Sequence, residues 1–165
     1  MGLFICSSIF FIIGLQGNSC DDYFILNDAT RNSEYGYSGG YCDQVDYWQG
    51  ASPDWKGPAW YRMKEPAGIA IPEEPVEAGW QCNAQMSGWL NGHHPNTTGE
   101  IVNRTVCFSA GNGNTCQMES QIEIKHCDSY YLYYLGEVPD CNIRYCSTST
   151  LMKGMYVQIY HPSRN

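Results

Sequence analysis

The sequence predicts a small, mainly β, disulfide-rich single domain with β-hairpins and long loops. Residues 118–126 alternate between buried-type and polar side chains, which is the period-2 pattern of a half-buried strand. Residues 111–114, Gly-Asn-Gly-Asn, follow another such segment, and both residue types accept the positive φ angles of tight turns. Nine cysteines supply the disulfides, and helical periodicity is hard to find anywhere in the 165 residues.

The first residues are typical of a secretory signal peptide. Residues 3–15 are apolar except for two serines, and they are too few to form a membrane-spanning helix of about 20 residues. The small residues Gly17 and Ser19 then suit cleavage, so we assign residues 1–19 to the signal peptide. A buried N-terminal strand and an uncleaved anchor are the alternatives. Cleavage removes Cys6 and leaves eight cysteines in a secreted, extracellular protein, and we expect no membrane span in the rest.

The eight remaining cysteines favour disulfides over metal binding, because no two of them have the two-residue spacing of a zinc knuckle or a thioredoxin-like redox site. Composition alone leaves 105 pairings open. One pair is indicated locally, since Cys107 and Cys116 flank the turn at residues 111–114 and could face each other across a hairpin.

Short strands account for the other apolar segments. We predict strands at residues 60–63, 68–71, 102–108, 118–126 and 130–135. A turn at residues 65–68 joins the first two, and residues 130–135 are apolar on both faces, which is typical of a central strand.

The remaining segments read as loops and a tail. Residues 32–40 and 50–58 are rich in Gly, Ser, Pro and Asn, which is typical of irregular structure. We take residues 20–146 as the extracellular domain and residues 147–165 as a C-terminal tail, with one further strand at residues 155–160.

Two sequons for N-glycosylation lie close together, at Asn96 and Asn103. On the strand at residues 102–108, Asn103 lies on the face opposite Val102 and Val106, so a bulky hydrated glycan there would project outward. With a signal peptide present, we expect both asparagines to be modified.

The net negative charge of the chain disfavours anionic partners. Nine basic and seventeen acidic residues give a formal net charge of −8, which repels phosphate and makes nucleic acids and anionic membranes poor partners. The aromatic fraction of 14% also argues against disorder.

No catalytic residue, metal ligand or cofactor site emerges from the motifs. Ser38 lies in Gly-Tyr-Ser-Gly-Gly, which formally matches the nucleophile elbow of hydrolases, but the glycine-rich context favours a flexible loop. His93 and His94 are adjacent and are interpreted as polar loop residues, and His126 as a hydrogen-bonded core histidine. The acidic cluster of Glu73, Glu74 and Glu77 is interpreted as a solvated loop.

Four motifs resemble the eight-cysteine domain that occurs in uromodulin, the pancreatic zymogen-granule membrane glycoprotein and the liver protein oncoprotein-induced transcript 3. In order they are WYRM at residues 60–63, WLNGHHP at 89–95, GEIVNRTVC at 99–107, and YYLYYL with PDCNIRYC within 130–146. The similarity extends from about Cys20 to Cys146 and implies an extracellular, mainly β, non-catalytic domain with four disulfides.

The resemblance also implies specific residues. Carried over residue by residue, the family pattern pairs Cys20–Cys127, Cys42–Cys141, Cys82–Cys146 and Cys107–Cys116. Uromodulin has an additional cysteine pair that this chain lacks. Asn91-Gly92-His93 occupies the position where a relative has Asn-Gly-Thr, so that sequon is lost here, with Asn96 and Asn103 near it in sequence.

We therefore expect a secreted, N-glycosylated, non-catalytic extracellular binding or adhesion module. In the uromodulin group, such domains present glycans that microbial lectins bind. The expected partners are extracellular proteins, lectins or microbial adhesins, reached through the protein surface or through glycans. One alternative is a structural module from a larger extracellular multidomain protein, isolated or truncated. A more distant alternative is a small secreted serine hydrolase that uses Ser38.

Overall fold

A computed structural model describes residues 19–45, 50–76 and 79–150. Within these residues the chain forms one seven-stranded sheet, and a single turn of 3-10 helix at Ala29–Arg31 follows the first strand. The strands are β1 (Phe24–Leu26), β2 (Ala59–Met63), β3 (Met86–Asn91), β4 (Ile101–Ser109), β5 (Met118–Cys127), β6 (Tyr130–Leu135) and β7 (Ile143–Tyr145). Their order is β1-β2-β6-β5-β4-β3-β7, and the predicted mainly β class with four disulfides is confirmed.

The β4–β5 hairpin forms the centre of the sheet and agrees with the predicted alternation. Its antiparallel register extends from Ile101 opposite Lys125 to Phe108 opposite Met118. Ile122 and Ile124 are buried, whereas Glu123 between them is exposed. Lys125 departs from the pattern and is buried, because both faces of β5 are covered at its C-terminal end.

Strand β6 lies inside the sheet, between β2 and β5, as its two apolar faces predict. On the inner face, Tyr61 of β2 and Tyr133 of β6 occupy paired positions and are both fully buried. Trp55, from the predicted loop at residues 50–58, stacks on Tyr61 with ring centroids 4.9 Å apart. The long loops therefore cover the inner face and complete the core there.

The predicted strand at residues 68–71 is wrong. Only Ala70 pairs there, in an isolated antiparallel bridge to Thr148. Gly68 has a φ of +126°, and a Cβ on it would lie 2.6 Å from the backbone carbon of Thr148. That close approach demands glycine and bends the chain out of extended conformation.

Strands β1, β3 and β7 were not among the predicted strands. Strands β1 and β7 have three residues each and pair in parallel with β2 and β3, so no local hairpin pattern marks them. The expected strand at residues 155–160 and the signal segment up to residue 18 lie outside the described residues. Within the described ranges, no helix is long and apolar enough to cross a membrane.

Candidate functional site

Both sequons lie on exposed parts of the surface. Asn103 is in β4, directly opposite Glu123 of β5, and Asn96 lies in the loop between β3 and β4. Among the described residues, no hydrogen bond engages the side-chain nitrogen of either asparagine. Each Nδ2 atom is therefore available for a glycan.

Asn91 and Asn103 point to the same side of the sheet. Asn91 is the exposed last residue of β3 and pairs with Thr105, which lies two residues beyond Asn103 on β4. Because residues i and i+2 share a face, all three side chains point away from the core. Strand spacing and rise together place the Cα atoms of Asn91 and Asn103 about 8 Å apart.

A row of side chains crosses this outer face at the level of Asn103. The strand pairing places Glu123 beside Asn103, Tyr134 beside Glu123, and Trp60 beside Tyr134. The rings of Trp60 and Tyr134 meet edge to face, with centroids 5.6 Å apart. Tyr134 is 41% exposed, so an aromatic surface lies open two strands away from the sequon.

A cluster of buried charges lies at one end of the sheet. Both terminal guanidinium nitrogens of Arg31 donate to Asp43 at 2.7–2.8 Å, and Nη2 also donates to Asp54 at 2.6 Å. Arg144 donates to Asp28 at 3.0 Å. Arg31, Asp43 and Arg144 are completely buried. The cluster ties the loops around residues 28, 43 and 54 to β7.

The pKa values in the cluster follow from burial and ion pairing. Burial acts to raise the pKa of Asp54, but the charge and hydrogen bonds of Arg31 outweigh it and lower that pKa. Burial, together with the charge of Arg31, lowers the pKa of Arg144 to about 10, so Arg144 stays charged at neutral pH. Sequence reasoning missed this cluster. The only local signal was a charged residue between Ile143 and Tyr145 in an otherwise apolar segment.

Four disulfides crosslink the described residues, and three of them join segments that are distant in sequence. The pairs are Cys20–Cys127, Cys42–Cys141, Cys82–Cys146 and Cys107–Cys116, the same four that the family resemblance implies. The last pair spans the turn of the β4–β5 hairpin, with Cα atoms 4.7 Å apart. The others have sequence separations of 64 to 107 and attach the N-terminal segment and loops to the sheet.

His94 lies in the loop between β3 and β4, as predicted, but it is buried, which was not predicted. Its Nδ1 atom lies 2.9 Å from a carboxylate oxygen of Glu73, and its Nε2 atom lies 2.8 Å from the Tyr133 hydroxyl. Both ring nitrogens thus have partners, which burial requires. The Glu73 side chain is only 9% exposed, so the prediction of a solvated carboxylate is also wrong. His93 is an exposed loop residue as predicted.

His126 and Glu74 are in the environments that the sequence predicts. His126 is buried as predicted, and its Nε2 atom donates to the Asp128 carbonyl at 2.9 Å. Glu74 is exposed, and Glu77 lies outside the described residues.

The Glu73–His94–Tyr133 chain does not present a nucleophile. The Tyr133 hydroxyl accepts a hydrogen bond from the Ile71 amide, so its own hydrogen points to His94, and His94 donates to Glu73. Tyr133 is fully buried, and burial raises the pKa of its hydroxyl. This arrangement stabilises the loop at residues 71–73 against the sheet.

Ser38 lies in an exposed loop rather than a strained strand-to-helix turn. Its hydroxyl donates to the side-chain oxygen of Asn83 at 3.3 Å, and an amide is no general base. No histidine among the described residues is within hydrogen-bond distance of it. The same residues contain no group of three side chains able to hold a metal ion.

Residues 61–147, more than half of the chain, match the family model of the uromodulin-like eight-cysteine domain. The chain belongs to the uromodulin-like eight-cysteine domain family. Six of its eight paired cysteines lie within the matched residues, and the other two, Cys20 and Cys42, are bonded to Cys127 and Cys141 inside the match. Disulfides at Cys20 and Cys42 thus crosslink the segment before residue 61 to this uromodulin-like domain.

Individual relatives agree with the family assignment. The chain is 32% identical to the pancreatic secretory granule membrane major glycoprotein GP2 of Rattus norvegicus over 138 residues, covering 81% of this chain and 24% of the relative. It is 32% identical to uromodulin of Rattus norvegicus over 136 residues, covering 82% and 19%. The human GP2 glycoprotein is 30% identical over 129 residues, covering 78% and 22%. The uromodulin-like chain therefore spans about a quarter or less of these relatives.

The stability of this uromodulin-like domain should fall below about pH 6.5 because of His94. Burial, which outweighs the hydrogen bond and charge of Glu73, lowers the pKa of His94 from its ordinary value. The unfolded chain takes up a proton near pH 6.5 and the folded domain only at lower pH, so stability is full above pH 6.5 and is lost as the pH decreases through the folded pKa.

Urea unfolding between pH 7.5 and pH 5 measures this loss, which for one proton cannot exceed about 1.4 kcal/mol per pH unit. We expect His94→Gln to flatten the pH dependence and the exposed-site control His93→Gln to retain it. Equal slopes in both variants would contradict the assignment to His94.

Proposed function

We propose that the chain is a secreted, N-glycosylated, non-catalytic extracellular module that presents glycans to lectins or microbial adhesins. The observation that carries the proposal is the position of Asn103. It lies on the outer face about 8 Å from Asn91, where a relative has Asn-Gly-Thr. A glycan on Asn103 would therefore leave the surface close to Asn91, the position of the sequon that this chain lacks.

Further support comes from the surroundings of the sequons and from the relatives. Asn96 and Asn103 are both exposed, as a bulky hydrated modification requires. GP2 carries the word glycoprotein in its name. We also propose that residues 1–19 are removed as a signal peptide, that residues 20–146 form the eight-cysteine domain, and that residues 147–165 form a tail.

Enzymatic removal of N-glycans should increase the electrophoretic mobility of the protein secreted from mammalian cells. We expect Asn103→Gln and Asn96→Gln each to remove one glycan, and the double variant to show no further shift on enzyme treatment. Asn91→Gln is the matched control, because Asn91 lies on the same face but outside any sequon. It should leave the glycan number unchanged, and His93→Thr should add a glycan at Asn91. Unchanged mobility of the parent protein would refute glycan presentation.

Recognition is tested with an immobilised lectin. We expect the secreted protein to bind concanavalin A, which recognises the mannose core of N-glycans, and the variant lacking Asn96 and Asn103 to pass through. Labelling of Ser38 by a fluorophosphonate probe would contradict the non-catalytic part of the proposal, and we expect none.

A second candidate function is that of a structural module within a larger extracellular protein. The observation that favours it is coverage, since the chain spans 19–24% of the relatives described above. Transcript sequence that continues in frame beyond Asn165 into further domains would select this candidate. Intact-mass measurement of the secreted protein, with and without reduction, gives the cleavage site, the glycan mass and the number of disulfides together.

A further inference from the structure

We propose that the glycan on Asn103 lies across the outer face of the sheet, with its first sugar rings packed on Tyr134 and Trp60. The inference rests on the proposed function, because it requires Asn103 to be glycosylated. It makes the row of side chains at the level of Asn103 a binding site for the glycan core. The domain then sets the direction in which the outer sugars are presented.

Strand pairing defines the path of the glycan. Asn103 of β4 is opposite Glu123 of β5, Glu123 is opposite Tyr134 of β6, and Tyr134 is opposite Trp60 of β2. A strand spacing of about 4.8 Å places the Cα atoms of Tyr134 and Trp60 about 10 Å and about 14 Å from that of Asn103. The two N-acetylglucosamine rings that begin every N-glycan bridge this gap when they lie along the row.

The side chains along the row match the chemistry of those rings. A pyranose ring has an apolar face of C–H groups, and aromatic rings bury such surface well. The edge-to-face contact with Trp60, at 5.6 Å between centroids, orients the Tyr134 ring. Glu123 is exposed between the sequon and the aromatic pair. Its carboxylate can accept hydrogen bonds from the hydroxyl and acetamide groups of the first sugars.

The two sides of Asn103 are not equivalent. Strand β3 ends at Asn91, so no neighbouring strand continues the outer face on that side at the level of Asn103. Ile101, two residues before Asn103 on the same face, is 38% exposed and extends the apolar surface beside the row. Asn96 lies in a loop away from the row and provides an internal control.

A thermodynamic cycle on the secreted full chain tests the contact. We expect Asn103→Gln to lower the melting temperature of the parent protein by about 2–4 °C, the scale of one modest contact in a domain of this size. In a Tyr134→Ala background, the same substitution should have no effect. Tyr134→Phe retains the aromatic face and should retain the coupling. Asn96→Gln should change the melting temperature by the same amount in the parent, in Tyr134→Ala and in Tyr134→Phe.

Chemical modification of Tyr134 gives a second readout that needs no substitution of the aromatic pair. We expect tetranitromethane to nitrate Tyr134 several times faster in Asn103→Gln than in the glycosylated parent, with peptide mapping to locate the product. Equal nitration rates together with additive melting temperatures would overturn the inference. Equal nitration rates and additive melting temperatures are also expected if a second copy of the chain or another protein, rather than the glycan, covers Tyr134.

The outcomes separate this inference from the proposed function. If peptide mapping finds a glycan on Asn96 but none on Asn103, this inference is refuted and glycan presentation stands through Asn96. If neither asparagine carries a glycan, both are refuted. If Asn103 is glycosylated but shows no coupling to Tyr134, glycan presentation stands and the packing of the glycan on the sheet is refuted.

Discussion

Replacing Asp43 by asparagine is expected to lower the free energy of unfolding by about 3–5 kcal/mol, because it removes one of the two carboxylates that compensate the buried charge of Arg31. Asp43 is fully buried and accepts hydrogen bonds from both terminal nitrogens of Arg31 and from the Tyr145 amide. Asparagine preserves the volume, but its amide group must face these donors and carries no charge. The Arg31 guanidinium then retains one carboxylate, Asp54, and the Tyr145 carbonyl that accepts a hydrogen bond from Nη1.

Urea unfolding with the disulfides intact measures this loss. Asp22→Asn is the matched control, since Asp22 is exposed and a surface change of this kind shifts stability by less than about 0.5 kcal/mol. The loss should be similar at 0.1 M and 1 M salt, because buried pairs are poorly screened. A loss below about 1 kcal/mol would show that Asp43 does not hold the cluster together.

Removing the Cys20–Cys127 bond should destabilise the domain by about 5 kcal/mol, against about 2.5 kcal/mol for the Cys107–Cys116 bond. The reason is the sequence separation of the two cysteines, which is 107 for the first pair and nine for the second. The longer crosslink removes more conformational freedom from the unfolded chain, so its loss costs more.

The two double alanine variants are well matched. Each removes one buried cysteine, Cys127 or Cys107, and one half-buried cysteine, Cys20 or Cys116, so local packing losses are similar. Equilibrium unfolding in urea, with the other three disulfides verified by peptide mapping, gives the difference directly. Equal losses would indicate that native-state packing at these cysteines outweighs the chain-entropy effect.

Local patterns predicted the central part of the fold. The alternation at residues 118–126 and the turn at residues 111–114 define the β4–β5 hairpin, because side-chain period and turn chemistry act over a few residues. The pair Cys107–Cys116 follows from the same hairpin. Short parallel strands such as β1 and β7 leave no such pattern, since their partners are distant in sequence.

The burial of the His94 and Glu73 side chains, which the sequence did not predict, has one origin. Each looks polar and loop-like in the sequence, and each is largely buried because a partner reaches it from elsewhere. Tyr133, which is 39 residues from His94 in sequence, accounts for the burial of the imidazole. No local window contains both residues.

The sequence by itself determined the class of the fold, the even set of eight cysteines after residue 19, the hairpin and the two sequons, since each depends on residue type and short spacing. Only the tertiary structure decided that Asn103 shares a face with Asn91 and a row with Tyr134, and that Arg144 meets Asp28 across 116 residues. Strand order and register bring such residues together, and both are set by burial of the whole sheet rather than by any local segment.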